Sequence, residues 1–504
     1  MRRSSASASH AQPMLRQPHQ HVLGHQVPSE RPRSVPKPGL RASLARRGLA
    51  FSRLAFSHLA FSRHRAAALA LLALLALLFT PAMLLAQSPN FITPGEPNRS
   101  EGVADQEILN QRVNEAPWRL GIFRFSPWIG VRDASFVNGN NVGDGSDQTN
   151  DFTVTVGAGV RGYLHAGSKF VLASQFLPEF TYWVDSSERN RLNGRYGLAI
   201  FGYFNRFDLE LSHRHTQQQG FFSSEVQRLT PTRNLVTRAI GDIQLSNRLY
   251  LTLRGIRTSA SSAEDEGSLV RFLAQLDRTE DTFQALIGYR APGGWRFSLG
   301  YEDTSVDFGN DARPLSNDSS GLIVEAGFAG NRFDGTLELA FRDLEPAAGS
   351  AVRAAHETTG LAEAIWVLSA RSALLTYGRR SLEYSVSTGA SYFIGDRVGA
   401  RWQAVWDRIG LGVWAETGQD TFASLAGSSL LRTDDVTSFG LEGSIAFKSL
   451  RLLLSLQNSD FSSPGDAFDR DITTVGFSFQ IEPLEKLLNS ASDRLRVGAA
   501  GTTW

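Results

Sequence analysis

The 504-residue chain contains no cysteine. Disulfide bridges, thiol chemistry and thiolate metal sites are therefore excluded. Beyond position 86 only four histidines remain, His165, His213, His215 and His356. His213 and His215 are two residues apart, a spacing that can chelate a metal, but they continue the apolar series Phe207, Leu209, Leu211 and are expected at the lipid headgroup level. Gly-x-Ser-x-Gly, Walker and His-Glu-x-x-His patterns are all missing. Nothing in the sequence points to an enzyme or to a bound cofactor or metal.

Long hydrophobic runs are equally scarce. One stands out, "RHRAAALALLALLALLFTPAMLLAQSP", where a basic stretch leads into Ala/Leu repeats, then Pro81 and a small residue, Ala86. This is the pattern of a secretory signal peptide with its apolar region over 66–86 and cleavage after Ala86; an uncleaved transmembrane anchor is the alternative. Residues 1–65 are rich in Ser, Pro, Arg and His, carry the repeat "LAFSRLAFSHLAFSR", and show no periodicity of a packed core. They are expected to be a disordered basic extension. Their arginines abut the export signal, which argues against a nucleic-acid arm.

Net charge conceals two regions. The first 86 residues hold 12 Lys/Arg and one acid, Glu30, so 51 − 12 = 39 basic and 50 − 1 = 49 acidic residues follow, a net of −10. The exported part is acidic. Its start, 87–118, is short and polar, with a helical turn expected at "DQEILNQRV", and reads as a periplasmic segment.

From 119 to 481 the pattern has a period of two, as in strands whose side chains leave on alternate faces. "FDGTLELAFRD" sets Phe333, Leu337, Leu339 and Phe341 against Asp334, Thr336, Glu338 and Arg342. "WRFSLGYED" sets Trp295, Phe297, Leu299 and Tyr301 against Arg296, Ser298 and Glu302. Short connections at 165–168, 205–206, 246–248, 291–294, 330–332, 369–371, 395–396 and 448–449 alternate with long polar ones such as 137–151, 216–231, 304–318 and 460–471. In an up-and-down meander all the short turns then share one edge. A soluble sandwich has no reason to sort turns by length, whereas a transmembrane barrel does. Some eighteen greasy strand faces in water would also need a second layer, and no helical segments exist to supply it. In lipid no cover is needed, but the sheet must close so that every backbone polar group is paired.

The predicted fold is thus all-β: a transmembrane antiparallel up-and-down barrel of about 18 strands (range 16–20) over 119–481, with a tail at 482–504. Two places leave the count open. Residues 258–281 read as strand extension or loop helix. Between 397 and 418 the apolar parity shifts at Asp407-Arg408, which fits either a bulge or a turn.

The signal peptide, the opening strand "FRFSPWIGVRDASF" and the regular hairpins resemble the β-barrel porins of Gram-negative outer membranes, some linked to exopolysaccharide export. The resemblance spans roughly 119–481. It implies residence in the outer membrane among its lipid and lipopolysaccharide. Thr474-x-Gly476-x-x-Phe479-x-Ile481 is similar to the last-strand signal presented to the barrel assembly machinery, although that signal usually ends the chain.

The charged face is expected to line the lumen, with Arg124, Arg132, Arg161, Arg238, Arg254, Arg296 and Arg342 beside Glu179, Glu210, Glu302, Glu325 and Glu338. Mixed rings of both signs would tune solute preference or simply neutralise one another. The expected function is a porin-like channel for passive diffusion of small hydrophilic solutes, mildly cation-preferring, with no dedicated plug in view. An exit duct for exopolysaccharide, hinted at by inward Trp128, Tyr163, Trp183 and Tyr203, or a closed structural or receptor barrel are the alternatives. Oligomeric state and solute identity are not encoded in any motif.

Overall fold

The computed structural model describes residues 106–141, 148–221, 225, 229–262, 274–309, 314–385, 389–425, 432–447, 450–463 and 470–481. The stretches read as a basic extension (1–65) and a signal peptide (66–86), and the tail at 482–504, lie outside the described residues. One helix, α1 (Gln106–Glu115), precedes a three-residue strand β1 (Trp118–Leu120) that pairs with the start of β2 (Phe123–Asn141). The strands that follow are β3 (Gln148–Ala166), β4 (Phe170–Trp183), β5 (Arg191–Tyr203), β6 (Phe207–Phe221), β7 (Leu229–Gln244), β8 (Leu249–Ser262) and β9 (Arg278–Arg290). Next come β10 (Trp295–Phe308), β11 (Asn317–Ala329), β12 (Phe333–Pro346), β13 (Ala355–Ser369) and β14 (Ser372–Tyr384). The last five are β15 (Ala390–Trp406), β16 (Ile409–Ser424), β17 (Arg432–Phe447), β18 (Leu450–Ser462) and β19 (Arg470–Ile481).

Each strand from β2 onward pairs antiparallel with the next, and β19 pairs back onto β2. Strands β2–β19 therefore make a closed ring of 18 with no free edge, the condition that a bilayer imposes on a sheet. The chain folds as a membrane-spanning β-barrel.

The facing follows the sequence. Trp295, Phe297, Leu299 and Tyr301 of β10 are exposed on the outside, while Ser298, Glu302 and Thr304 are buried on the inside. Near the short turns, outer aromatics touch in a row: Trp295–Phe328 at 4.8 Å, Phe328–Phe333 at 5.6 Å and Phe333–Trp366 at 6.0 Å between ring centroids. Such a row is the girdle that barrels carry at a membrane interface.

The structure corrects two of the connections read from the sequence and decides a third that the sequence leaves open between a bulge and a turn. Gly395-Asp396, expected as a turn, lies inside β15 and pairs with Ser381 and Arg380. A glycine followed by an acid matches turn chemistry, but here Gly395 is needed where Asp420 and Ser381 crowd its Cα, 3.1 and 3.5 Å from where a Cβ would sit. The real turn is Asp407-Arg408, with Asp407 at φ 49°, so 390–424 forms two strands. Finally, strands run into the stretches read as long loops: β10 continues to Phe308 and β11 begins at Asn317. Strands of 12–19 residues exceed the ~9–11 that cross the hydrocarbon. The surplus lies at the long-loop end, where the outer face of β10 turns from Tyr301 to Asp303, Ser305 and Asp307.

Candidate functional site: the inner wall and its two mouths

Cross-strand pairing stacks the inward charges into ion pairs. Glu325 meets Arg254 at 2.6 Å, Arg254 donates to Gln284 Oε1 at 3.1 Å, and Gln284 donates to Glu302 at 2.6 Å. Glu302 in turn lies 2.7 Å from Arg342. This chain of contacts ties β8 through β12 together. Elsewhere on the wall Arg195 pairs with Glu179 at 2.9 Å, Arg397 with Asp420 at 2.6 Å and Arg401 with Glu442 at 2.6 Å. Glu416 lies 3.3 Å from Arg379 and accepts the Tyr377 hydroxyl at 2.8 Å.

The sequence-predicted residues Arg124, Arg161, Arg238, Arg254, Arg296, Arg342, Glu179, Glu210, Glu302, Glu325 and Glu338 share the inner face by alternation. Glu210 accepts from Ser212 at 2.9 Å. Arg132 is different. It falls at a register shift between Val131 and Asp133, so the alternation of β2 resets there and Phe136 takes the outer face. A bulge of one extra residue has no composition signal, so parity counting runs through it. The pairs around Arg379, Arg397, Glu416 and Asp420 were missed for a related reason. Reading a turn at 395–396 broke the alternation of β15 just where Arg397 projects inward.

At the short-turn end, α1 lies against the inner wall. Leu109, Val113 and Ala116 are buried in one cluster with Tyr163, Val171, Ala173, Ala199, Phe201 and Tyr203, all inner-face residues of β3–β5. Leu109 and Val113 are four apart and so form one stripe of the helix. The expected helical turn is real, but it occupies the lumen side of the wall and narrows that mouth, against the expectation of no plug.

The long-loop mouth is narrowed by the sheet itself. Pairing between β13 and β14 runs from Ser369–Ser372 only to Gly360–Arg380, and above that seam the β14–β15 hairpin leans inward. Its Tyr384, Tyr392 and Ile394 belong to the outer face by alternation, yet they pack on inner-face Val306, Phe308 and Leu344. Tyr384 meets Phe308 edge-on at 4.8 Å and bonds Asn317, while the Tyr392 hydroxyl donates to Glu357 at 3.0 Å. The hairpin tip then reaches across the ring. Ser385 donates to Glu225, in the β6–β7 connection, at 3.0 Å, and Arg432 at the start of β17 lies 3.9 Å from the same carboxylate.

The inward aromatics do not form an open track. Tyr163 and Tyr203 lie under α1. Trp183 is fully buried, with Arg189 stacked 3.8 Å from its ring and its indole N–H on Gln219. Stacked sugars would need free ring faces, which these residues do not offer. Among the described residues no group of three or more His, Cys, Asp or Glu could hold a metal ion.

No family model matches the sequence, and no curated protein matches it. Among solved structures, Pseudomonas aeruginosa OccK9 (OpdG) aligns over 71% of this chain and 98% of its own, at 12% identity and TM-score 0.43. Acinetobacter baumannii OccAB3 aligns over 71% and 99%, at 10% identity and TM-score 0.41. The FrpB iron transporter from Neisseria meningitidis aligns over 76% and 71%, at 11% and 0.41. Likenesses at this level carry no argument about activity; the barrel stands on its own pairing.

Proposed function

We propose that the chain is an outer-membrane channel through which small hydrophilic solutes diffuse passively, with a mild preference for cations. The observation that carries this reading is the inversion of the barrel, with charged ion pairs toward the axis and Phe, Leu and Trp outside. Ionised side chains are tolerated in a bilayer when they face water, so such a wall implies an aqueous axis. Because most of the wall's carboxylates are held by arginines, net selectivity is expected from the mouths rather than from the wall. The acidic excess of −10 beyond residue 86, including "SSAEDEG" at 261–267, raises local cation concentration there.

In planar bilayers the cation preference should be strongest at low salt and fade as screening shortens to ~8–10 Å near physiological ionic strength. Replacing Glu264, Asp265 and Glu266 together by Gln, Asn and Gln should lower it without closing the channel. Protein that inserts but conducts no ions would overturn the reading.

Export through the signal at 66–86 and insertion by the barrel assembly machinery fit this reading. The strand carrying Thr474, Gly476, Phe479 and Ile481 is the one that closes the ring onto β2. Sidedness follows from turn length, with the short turns in the periplasm. A cysteine in place of Asp144 should label with an impermeant maleimide on whole cells, and one in place of Asn331 should not. The opposite pattern would invert the barrel.

A further inference from the structure

On the outer face, strand register sets Leu211, Ala239, Gly255 and Phe283 side by side across β6, β7, β8 and β9. Leu211 and Phe283 are exposed, and nothing lies within 4 Å of where a Cβ on Gly255 would stand. Bulky, small, small, bulky makes a shallow groove. Its walls are about 14 Å apart at ~4.8 Å per strand. Toward the short turns, Gly241 continues the floor beside Ala239.

The next row toward the long loops is His213, Thr237, Arg257 and Asp281. His213 Nδ1 bonds the Thr237 hydroxyl at 2.9 Å. Arg257 lies 3.6 Å from Asp281, a loose pair in which both side chains are exposed. One row higher His215 stands opposite Leu235, and Arg233 follows two residues along β7. The charges of Arg233 and His213 both act on His215. Among the described residues Arg233 has no carboxylate within ion-pair reach, and the enclosed Nε2 of His215 has no hydrogen-bond partner. This concentration of cationic groups is local. Elsewhere the long-loop end of the outer face carries exposed Asp303, Asp343, Asp435 and Asp460.

Charged side chains on a lipid face are tolerated near the interfaces and costly at the midplane. The row of His213 and Arg257 therefore marks the headgroup level, with the groove in the hydrocarbon beneath it. We propose that this patch binds a phosphate-bearing lipid of the outer leaflet, with its acyl chains lying in the groove. Guanidinium groups donate in pairs to phosphate oxygens, and an imidazole N–H adds a further donor. Arg233 with His215 and Arg257 with His213 are two points along the strands, so a headgroup with two phosphates engages both. A metal ion on His213 and His215 is the competing occupant, and the two arginines beside them repel it. A soluble anion would leave the groove unused, whereas a lipid gains apolar contact there. The inference goes beyond the channel reading and takes from it only the sidedness, which labelling at positions 144 and 331 decides separately.

The test uses the full chain, purified and delipidated in a neutral detergent, with native mass spectrometry to count retained lipid. The probes are a bis-phosphorylated lipid A and the same lipid with both phosphates removed. The phosphorylated form should be retained at roughly tenfold lower concentration, the margin of a charge-assisted hydrogen bond. The double variant Arg233→Gln/Arg257→Gln should abolish that difference, and added salt should shrink it. His215→Phe keeps a ring beside Tyr196, whose centroid is 5.7 Å away. It should still weaken the phosphorylated lipid several-fold, which a packing role alone would not. Arg380→Gln, on the outer face but paired with Asp396 at 2.6 Å, should change nothing. Should the double variant fail to fold, Arg233→Gln alone is expected to give a several-fold loss. Equal retention of the two lipids, a difference that survives loss of both arginines, or inorganic phosphate bound as tightly as the lipid would overturn the proposal.

Discussion

Deleting residues 106–116 is expected to raise single-channel conductance about twofold, because a helix 10–12 Å across with its side chains fills much of the lumen of an 18-strand barrel. The helix is held by Leu109 and Val113, 4% and 0% exposed, against aromatic and aliphatic residues of β3–β5. Burying two such side chains stabilises the docked helix by about 1.5–3 kcal/mol each, so it should stay in place in the resting protein. The substitutions Leu109→Glu and Val113→Glu together would put two carboxylates into that apolar cluster, which is costly without partners. They should release the helix and reproduce the rise in conductance with the chain length unchanged. Planar-bilayer recording measures both, and a conductance that stays at the wild-type level in both variants would show that the current does not pass by this helix. The barrel should tolerate either change, since its ring closes through β2 and β19 without α1.

Leu337→Arg should cost about 2–4 kcal/mol of folding free energy if position 337 lies near the bilayer midplane. Leu337 is on the outer face of β12, opposite Ala326 and Ala362, and 39% exposed to what is lipid in the membrane. Neither neighbour has a polar atom to receive a guanidinium. Glu338→Gln, one residue further on, is on the inner face of the barrel, and Arg254 has Glu325 at 2.6 Å as a partner independent of Glu338. Its cost should stay below ~1 kcal/mol, the usual worth of an exposed charge pair. Denaturant titration of folding into lipid vesicles compares the two, and equal losses would mean that the inner and outer faces of this hairpin are wrongly assigned.

Much of the barrel was legible along the chain because its signals are local. Phe333, Leu337 and Phe341 alternate with Asp334, Glu338 and Arg342, and a pleated backbone converts that alternation into two faces without reference to anything distant. Short turns sorted from long connections gave closure and an inside, and with them the inward position of Arg254, Glu302, Glu325 and Arg342. The same locality explains what a reading along the chain passes over. A one-residue bulge at Arg132 and a strand passing through Gly395-Asp396 leave composition untouched, so only the partner strand's register exposes them.

By itself, then, the sequence determined the strands, their facing and a wall of mixed charge. Tertiary structure decided which charges meet and how open the two mouths are. His213 and Arg257 come to flank Thr237 through strand register, and α1 finds its apolar partners on three strands it does not adjoin in the chain. Ser385 meets Glu225 160 residues away, across the ring. No window of residues encodes such a contact. It exists because eighteen strands close into a circle, which brings distant loops over one lumen and lets a hairpin released from its neighbour at Gly360–Arg380 bury its tyrosines on the nearby inner face of β10 and β12.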